Sequence, residues 1–343
     1  MKHWKIDIPV AINFFCRPDT FERTLACVRE AKPSKLFLIA DGPRPGNYND
    51  EVGCKACRDV ADRLVDWDCE LIKLYNTENK GLFVTYFESM AKVFEQVDYC
   101  IFMEDDLVVS HSLFPYCKEL LEKYKDDKRF SFVTTINFMG DGIYEDLDSD
   151  YFFCGEGSLY VYGLWKRTFE SMNMNFLKNQ YSTESTKAYL KTIKPGYEKR
   201  IDKYVKDLLW QGHIPHVEIY RNLLRATEHQ LCIVPKKNMV LNIGLSSGSV
   251  HTANDIRKMP KAMWKPYSCK IYEYEHFPLK APMCVIPDMK YDKYINNMLL
   301  WNMPVRRFLR RIEALVRHAI YGDFQRIIFK FKQVITGKYV FDE

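Results

Sequence analysis

The chain predicts an α/β protein with a mostly parallel central sheet flanked by helices. Three observations lead there. Short apolar runs alternate with segments of helical periodicity through the first third of its 343 residues. The runs stop at turn or charged residues, and the fourth carries three consecutive carboxylates, Glu104-Asp105-Asp106, at its end. Strands separated by helices require right-handed crossovers, which make a parallel sheet covered on both faces.

The elements follow in order. Ile8 to Phe15 is a short apolar run suited to a buried strand, and Arg17-Pro18-Asp19 ends it. Asp19 or Thr20 is placed to cap the next helix, whose apolar positions Phe21, Leu25 and Val28 keep helical spacing. Lys35 to Ala40 is a second strand, stopped by Asp41-Gly42-Pro43. A helix over about 50–65, a strand over 70–75 and a loop over 76–81 follow; 82–97 reads as helix and 99–103 as the fourth strand. Parallel sheets bind ligands at the carboxyl ends of their strands. Phe15-Cys16-Arg17, Asp41-Gly42, Asn79-Lys80 and Glu104-Asp105-Asp106 are therefore expected along one edge.

Such an edge suits a nucleoside diphosphate. Asp41 and Glu104 can accept hydrogen bonds from base or ribose, Arg17 or Lys80 can contact phosphate, and Asp106 can bind Mg²⁺ or Mn²⁺, hard ions that prefer oxygen. A metal there would also stabilise a departing diphosphate. Because no GxGxxG follows the first strand and no GxxxxGK[ST] occurs anywhere, dinucleotide-binding and P-loop readings are disfavoured.

The series Asn13-Phe-Phe-Cys-Arg17-Pro18, Asp41-Gly42-Pro43, Asn79-Lys-Gly81-Leu82 and Ile101-Phe-Met-Glu104-Asp105-Asp106-Leu107 resembles bacterial GT-A glycosyltransferases. These are similar to the N-acetylglucosaminyltransferase I family, in which a Glu-Asp-Asp stretch serves as the metal motif. Gly155 to Arg167, Ile233 to Gly244 and Val250-His251-Thr252 extend the resemblance, so that it covers about residues 6 to 255 in separated pieces. It implies a GT-A (Rossmann-like) fold. It further implies metal binding by Asp106, a donor-binding set of Phe15, Arg17, Asp41, Lys80, Glu104 and Asp105, and His251 approaching the metal or diphosphate from the other side. An inverting member needs a carboxylate to deprotonate the acceptor hydroxyl. The family register lands on Glu218, where many relatives carry Asp.

Each residue has a plainer alternative. Asp106 can cap the helix expected over 112–124, Asp41-Gly42-Pro43 is good turn chemistry, and Arg17 can pair with a nearby acid. Glu218 can be an exposed helix acid and His251 a structural histidine. Trp165, Trp210 and the aromatics near Tyr160 can form a sugar-stacking wall, though core is the stronger reading. With 45 acids in the chain, one three-acid run is expected about once by chance, so its place after a strand is what carries weight.

Charge separates body from tail. Residues 304–343 hold nine Lys/Arg against four Asp/Glu, while the rest has 41 of each sign, so nothing in the body points to nucleic acid. Eleven scattered cysteines and no apolar leader point to reduced thiols in the cytoplasm; Cys54-Lys-Ala-Cys57 lacks a partner pair for zinc. No run reaches membrane-spanning length. After Pro304, Val305, Phe308, Leu309, Ile312, Leu315, Val316 and Ile320 share one helical face, with Arg306, Arg307, Arg310, Arg311 and Arg317 on much of the rest. Phe324, Ile327, Ile328 and Phe331 repeat this against Arg326, Lys330 and Lys332. Such basic amphipathic helices suit an anionic membrane surface; the alternatives are a helix packed on the body with a solvated Arg face, or a dimer helix.

The expected organisation is a GT-A domain over 1–260 with a nucleotide-binding half 1–110 and an acceptor half 111–260, a connecting segment 261–303, and basic amphipathic helices over 304–343. The expected activity is transfer of a sugar from a nucleotide donor, UDP foremost, to a saccharide or lipid-linked saccharide at the inner face of the cytoplasmic membrane, in bacterial surface-polysaccharide (lipopolysaccharide or capsule) synthesis. A sugar nucleotidyltransferase, or a catalytically inactive saccharide-binding scaffold, would share the sheet and the acids.

Overall fold

The computed structural model describes residues 2–3, 5–140, 144, 147–172, 184–193, 221, 224–245, 255–300 and 303–328. Glu218 and His251 lie outside the described residues, as do Trp210, Phe331, Lys330 and Lys332.

The chain opens with β1 (Lys2–His3) and then alternates as expected. β2 (Ile6–Phe14), α1 (Pro18–Ala31), β3 (Pro33–Ala40) and α2 (Tyr48–Leu64) come first. β4 (Trp67–Asp68), β5 (Glu70–Tyr75), α3 (Leu82–Phe94) and β6 (Tyr99–Glu104) complete the first group of elements. There follow β7 (Leu107–Val109), α4 (Leu113–Lys123), β8 (Phe130–Thr134), β9 (Tyr151–Cys154), β10 (Val161–Trp165) and α5 (Lys166–Glu170). β11 (Leu231–Pro235) and β12 (Val240–Asn242) are the last strands among the described residues, and a helix over Pro304–Ile320 lies near the end.

An eight-stranded sheet runs in the order β5-β3-β2-β6-β10-β8-β11-β9. β10 is antiparallel to both β6 and β8, and β9 to β11; every other neighbouring pair is parallel. Consecutive residues of β8, β9 and β10 are all buried, which an amphipathic strand would not allow, so helices or loops cover both faces. A small sheet pairs β7 with β12, antiparallel, just beyond the acidic triplet. The stretch 261–303 contributes Cys269, Tyr274, Leu279, Tyr291 and Ile295 to the same core.

Two helix starts differ from expectation. α1 begins at Pro18 with Arg17 as N-cap, and no side chain caps it. Proline has no N–H to leave unpaired and its fixed φ suits the first helical position, so the helix starts one residue ahead of Asp19; the Thr20 hydroxyl donates back to the Arg17 carbonyl at 3.2 Å. α2 starts at Tyr48 because Asn47 accepts from the Asp50 N–H at 3.2 Å, a cap worth about 1 kcal/mol.

Trp165 is core, its indole N–H donating to the Leu121 carbonyl at 2.8 Å. Cys54 and Cys57 are buried on α2 as free thiols, and burial pushes the Cys54 thiol up to about 11, so neither supplies thiolate at neutral pH.

Candidate functional site

Register brings four strand ends to one edge. Phe14 pairs with Ala40, Ala40 with Tyr75, and Asn13 with Glu104. Two polar clusters form there.

The first joins Arg17 to the acidic motif. β6 ends at Glu104, and the chain turns over Asp105 and Asp106 before β7 begins. Glu104 is exposed, whereas Asp105 and Asp106 are both buried. Asp105 Oδ1 pairs with Arg17 Nη2, and its Oδ2 accepts from the Phe15 N–H at 3.3 Å. Asp106 Oδ2 lies 3.1 Å from Arg17 Nη1. Asp106 Oδ1 is buried with no hydrogen-bond partner among the described residues. Burial is the largest influence on Asp105 and lifts its carboxyl to about 6; Arg17 opposes the rise and the neighbouring Asp106 adds to it. Burial alone would lower the Arg17 pKa, but the two carboxylates hold it above its usual value.

The small sheet fixes Asp106 from behind. Its carbonyl accepts from the Ile243 N–H at 2.8 Å, and the Leu107 N–H donates to the buried Thr24 hydroxyl at 3.0 Å. Gly244 closes over the carboxylate, and its N–H donates to Asn242 Oδ1 at 2.7 Å. A Cβ there would meet Asp106 Oδ2 well inside van der Waals contact and its Cγ at 2.9 Å. Asn242 and Gly244 belong to a block the sequence had marked only by resemblance. What locates them at Asp106 is the β7–β12 pairing, which joins residues about 130 positions apart and leaves no local sequence signal.

The second cluster is a clamp centred on Asp41. Its buried carboxylate accepts from the N–H groups of Gly42, Lys80 and Gly81 at 3.0, 3.0 and 2.9 Å and from Asn76 Nδ2 at 3.1 Å. Asn79 Nδ2 donates to the Gly42 carbonyl at 2.9 Å. Gly42 is required by close approach: a Cβ would stand 2.5–2.7 Å from the Glu78 backbone. Both carboxylate oxygens of Asp41 are thus engaged in tying the 76–81 loop to the end of β3. Lys80 enters through its backbone; its ammonium pairs with exposed Glu88 at 2.6 Å.

The helix-cap alternative for Asp106 is not what the structure holds. The start of α4 is satisfied by Glu273, which accepts from the His111 and Ser112 N–H groups at 2.9 and 2.8 Å. Arg17 does pair with acids, and these are the motif's own.

Among the described residues no three His, Cys, Asp or Glu side chains converge as a closed metal site. An open site needs less. Mg²⁺ and Mn²⁺ are commonly held by one or two carboxylates with the remaining positions taken by phosphates and water, and Asp106 Oδ1, without a partner among the described residues, fits that pattern.

No protein-family model and no curated protein matches the sequence. Solved structures align over much of the chain. One is a UDP-glucose pyrophosphorylase complexed with UDP-glucose, 12% identical, TM-score 0.31, covering 68% of this chain and 91% of that one. Another is the inositol-1-phosphate CTP transferase from T. maritima, 10% identical, TM-score 0.35, with 70% and 91% covered. A third, a CMP:2-keto-3-deoxy-manno-octonic acid synthetase complexed with CTP, is 12% identical with a TM-score of 0.28, 60% and 87% being covered. Likenesses this distant say nothing of substrate, and the α/β class rests on the sheet itself.

Proposed function

We propose that the chain is a metal-dependent glycosyltransferase that moves a sugar from a nucleoside diphosphate, UDP foremost, to a saccharide or lipid-linked saccharide acceptor. The observation that carries the proposal is Asp106: a buried carboxylate at a strand's carboxyl end, with one oxygen held by Arg17 and the other without a partner among the described residues. A buried carboxylate oxygen without a hydrogen bond is costly, so a partner supplied by substrate or cation is the natural reading. Mg²⁺ or Mn²⁺ bound through Asp106 would neutralise charge on a diphosphate leaving group.

The reaction is a displacement. The acceptor hydroxyl oxygen forms a bond to the anomeric carbon, the bond from that carbon to the diphosphate breaks, and the hydroxyl proton passes to a base. Glu218 is assigned that role by resemblance, with inversion as the outcome, and His251 a place near the metal or diphosphate. Arg17 holds both acids in place and brings a cation to the edge where phosphate would lie. Exposed Glu104 is assigned to the donor's ribose or sugar by resemblance. The Asp41 clamp shapes the neighbouring loop, and Phe15, half-buried beside Arg17, offers a ring to the base.

A sugar nucleotidyltransferase is the rival chemistry. Its usual glycine-rich phosphate loop has no counterpart here, because bulky Phe14-Phe15-Cys16-Arg17 follows the first strand. Incubation with UDP-sugars and Mn²⁺ decides between them. UDP release that falls at least about 100-fold in Asp106→Asn supports the proposal, a metal ligand mattering at least as much as the groups that orient one. Pyrophosphate release from UTP and a sugar 1-phosphate would establish the rival, and unchanged turnover in Asp106→Asn would remove the metal assignment.

A further inference from the structure

The helix Pro304–Ile320 sits on the protein the wrong way round for a water-soluble surface helix. Val305, Phe308, Leu309, Ile312, Val316 and Ile320 occupy a sector of roughly 120° at 100° per residue. An ordinary surface helix buries such a stripe. Here it faces solvent, with Val305 70%, Phe308 62% and Ile320 69% exposed.

The polar face makes the attachment instead. Arg307 Nη2 donates to the Leu300 carbonyl at 3.0 Å, Arg310 Nη1 to the Met298 carbonyl at 2.6 Å, and Arg317 Nη1 to the Arg257 carbonyl at 3.1 Å. Glu313 accepts from the Lys261 N–H at 3.0 Å, and the Arg317 guanidinium lies 5.2 Å from the Trp264 ring centre. The sequence alternative of a helix packed by its apolar stripe under a solvated Arg face is therefore reversed. The stripe continues into the helical turn 324–328, where Phe324 and Ile328 are also exposed. Fifteen of the twenty exposed large hydrophobic residues among those described lie after residue 260, so the apolar exposure belongs to one region rather than to the surface at large.

We infer that this helix and the turn after it form a docking face for an anionic phospholipid surface, lying in the headgroup plane with the stripe in the acyl boundary. Charge selects this occupant. Residues 304–328 carry six arginines against two acids, Glu313 and Asp323. Exposed Arg306 and Arg311 flank the stripe on either side, where the headgroups of an embedded helix would lie. A second copy docking the same face would set these arginines against their own duplicates, which costs rather than stabilises. The inference is independent of the chemistry at Asp106.

Vesicle flotation of the full chain tests it, with phosphatidylcholine alone against phosphatidylcholine mixed with phosphatidylglycerol. The chain is expected to float with the anionic vesicles, and added salt to weaken binding. Arg306→Gln and Arg311→Gln should each lower partitioning roughly fivefold, and Phe308→Asp with Ile312→Asp should abolish it. All four side chains are exposed, so circular dichroism should show an unchanged fold. Absence of flotation with anionic vesicles, or equal flotation of the double Asp variant, overturns the inference. So does sedimentation equilibrium showing a dimer that the Asp pair dissociates, in a chain that ignores vesicles.

Discussion

Gly244→Ala offers a test of how Asp106 is held. Gly244 does not sit in the left-handed region, so alanine brings no backbone strain, only a methyl group. That methyl would meet the Asp106 carboxylate, its Cγ at 2.9 Å, with Asn242 Oδ1 at 3.1 Å, where ordinary contacts start near 3.4 Å. Neither neighbour yields easily: Asp106 Oδ2 is 3.1 Å from Arg17, and Asn242 accepts from the Gly244 N–H. Overpacking at a filled site costs about 1–3 kcal/mol. Urea denaturation should show a loss in that range, and calorimetric titration with Mn²⁺ and UDP should show weaker binding. Gly140→Ala is the control. Its Cβ would meet the Asn238 N at 2.9 Å, a milder overlap but still inside ordinary contact, at a residue outside the clusters described around Asp106 and Asp41. It should lose stability with Mn²⁺–UDP affinity retained. If Gly244→Ala binds Mn²⁺–UDP as tightly as the unaltered chain, the carboxylate is not positioned as argued.

Asp41→Ala should cost about 3 kcal/mol, since it strips the acceptor from three backbone N–H groups. Hydrogen exchange should quicken at Lys80 and Gly81 and stay slow in mid-α1; unaltered exchange would refute the clamp. Asp105 gives a pH signature in metal-free protein. Its carboxyl is raised from 3.8 to about 6, so the folded chain holds this proton more tightly than the unfolded one. The associated stability is present below about pH 4 and lost as pH rises through about 6, up to about 3 kcal/mol. Asn is neutral throughout, so Asp105→Asn should gain on the unaltered chain between pH 4 and 7 in urea midpoint stability; a gap that widens the other way sinks the argument.

How far the sequence reaches can be judged residue by residue. Among the four parallel strands, buried runs such as Leu36 to Ala40 were legible because they are apolar without interruption and end at turn chemistry, whereas β5 is an exposed to half-buried edge strand. The convergence of their ends follows from topology alone. The two strands that run antiparallel in the eight-stranded sheet were not legible: β9 and β10 look like any other buried run, and direction is set by partners far along the chain. Side-chain direction at the site was equally hidden. Asp41 had been open to ribose or turn, and only the path of the 76–81 loop shows four protein donors meeting its carboxylate. The tail's apolar stripe could be read from its period, but which face met the body could not. The carbonyls of 257, 298 and 300 decide it, by offering acceptors to arginine.

The acidic motif shows why three adjacent carboxylates can divide their work. In a continuing strand, side chains alternate between faces, so neighbours at 105 and 106 could not both enter one polar pocket. The strand stops at Glu104, and the turn that follows lets Asp105 and Asp106 present carboxylates to the same guanidinium. Burying Asp105 is the main reason that its carboxyl is shifted upward, and the neighbouring Asp106 adds to the rise. Arg17 opposes that rise with one charge, but its reach is uneven: it shares two contacts between the acids and leaves Asp106 Oδ1 untouched. Lysine at position 17 would keep the charge and lose the fork that spans both acids. Arg17→Lys should therefore weaken Mn²⁺–UDP binding by displacing Asp106, and calorimetry that finds wild-type affinity in that variant would show that the guanidinium geometry is dispensable.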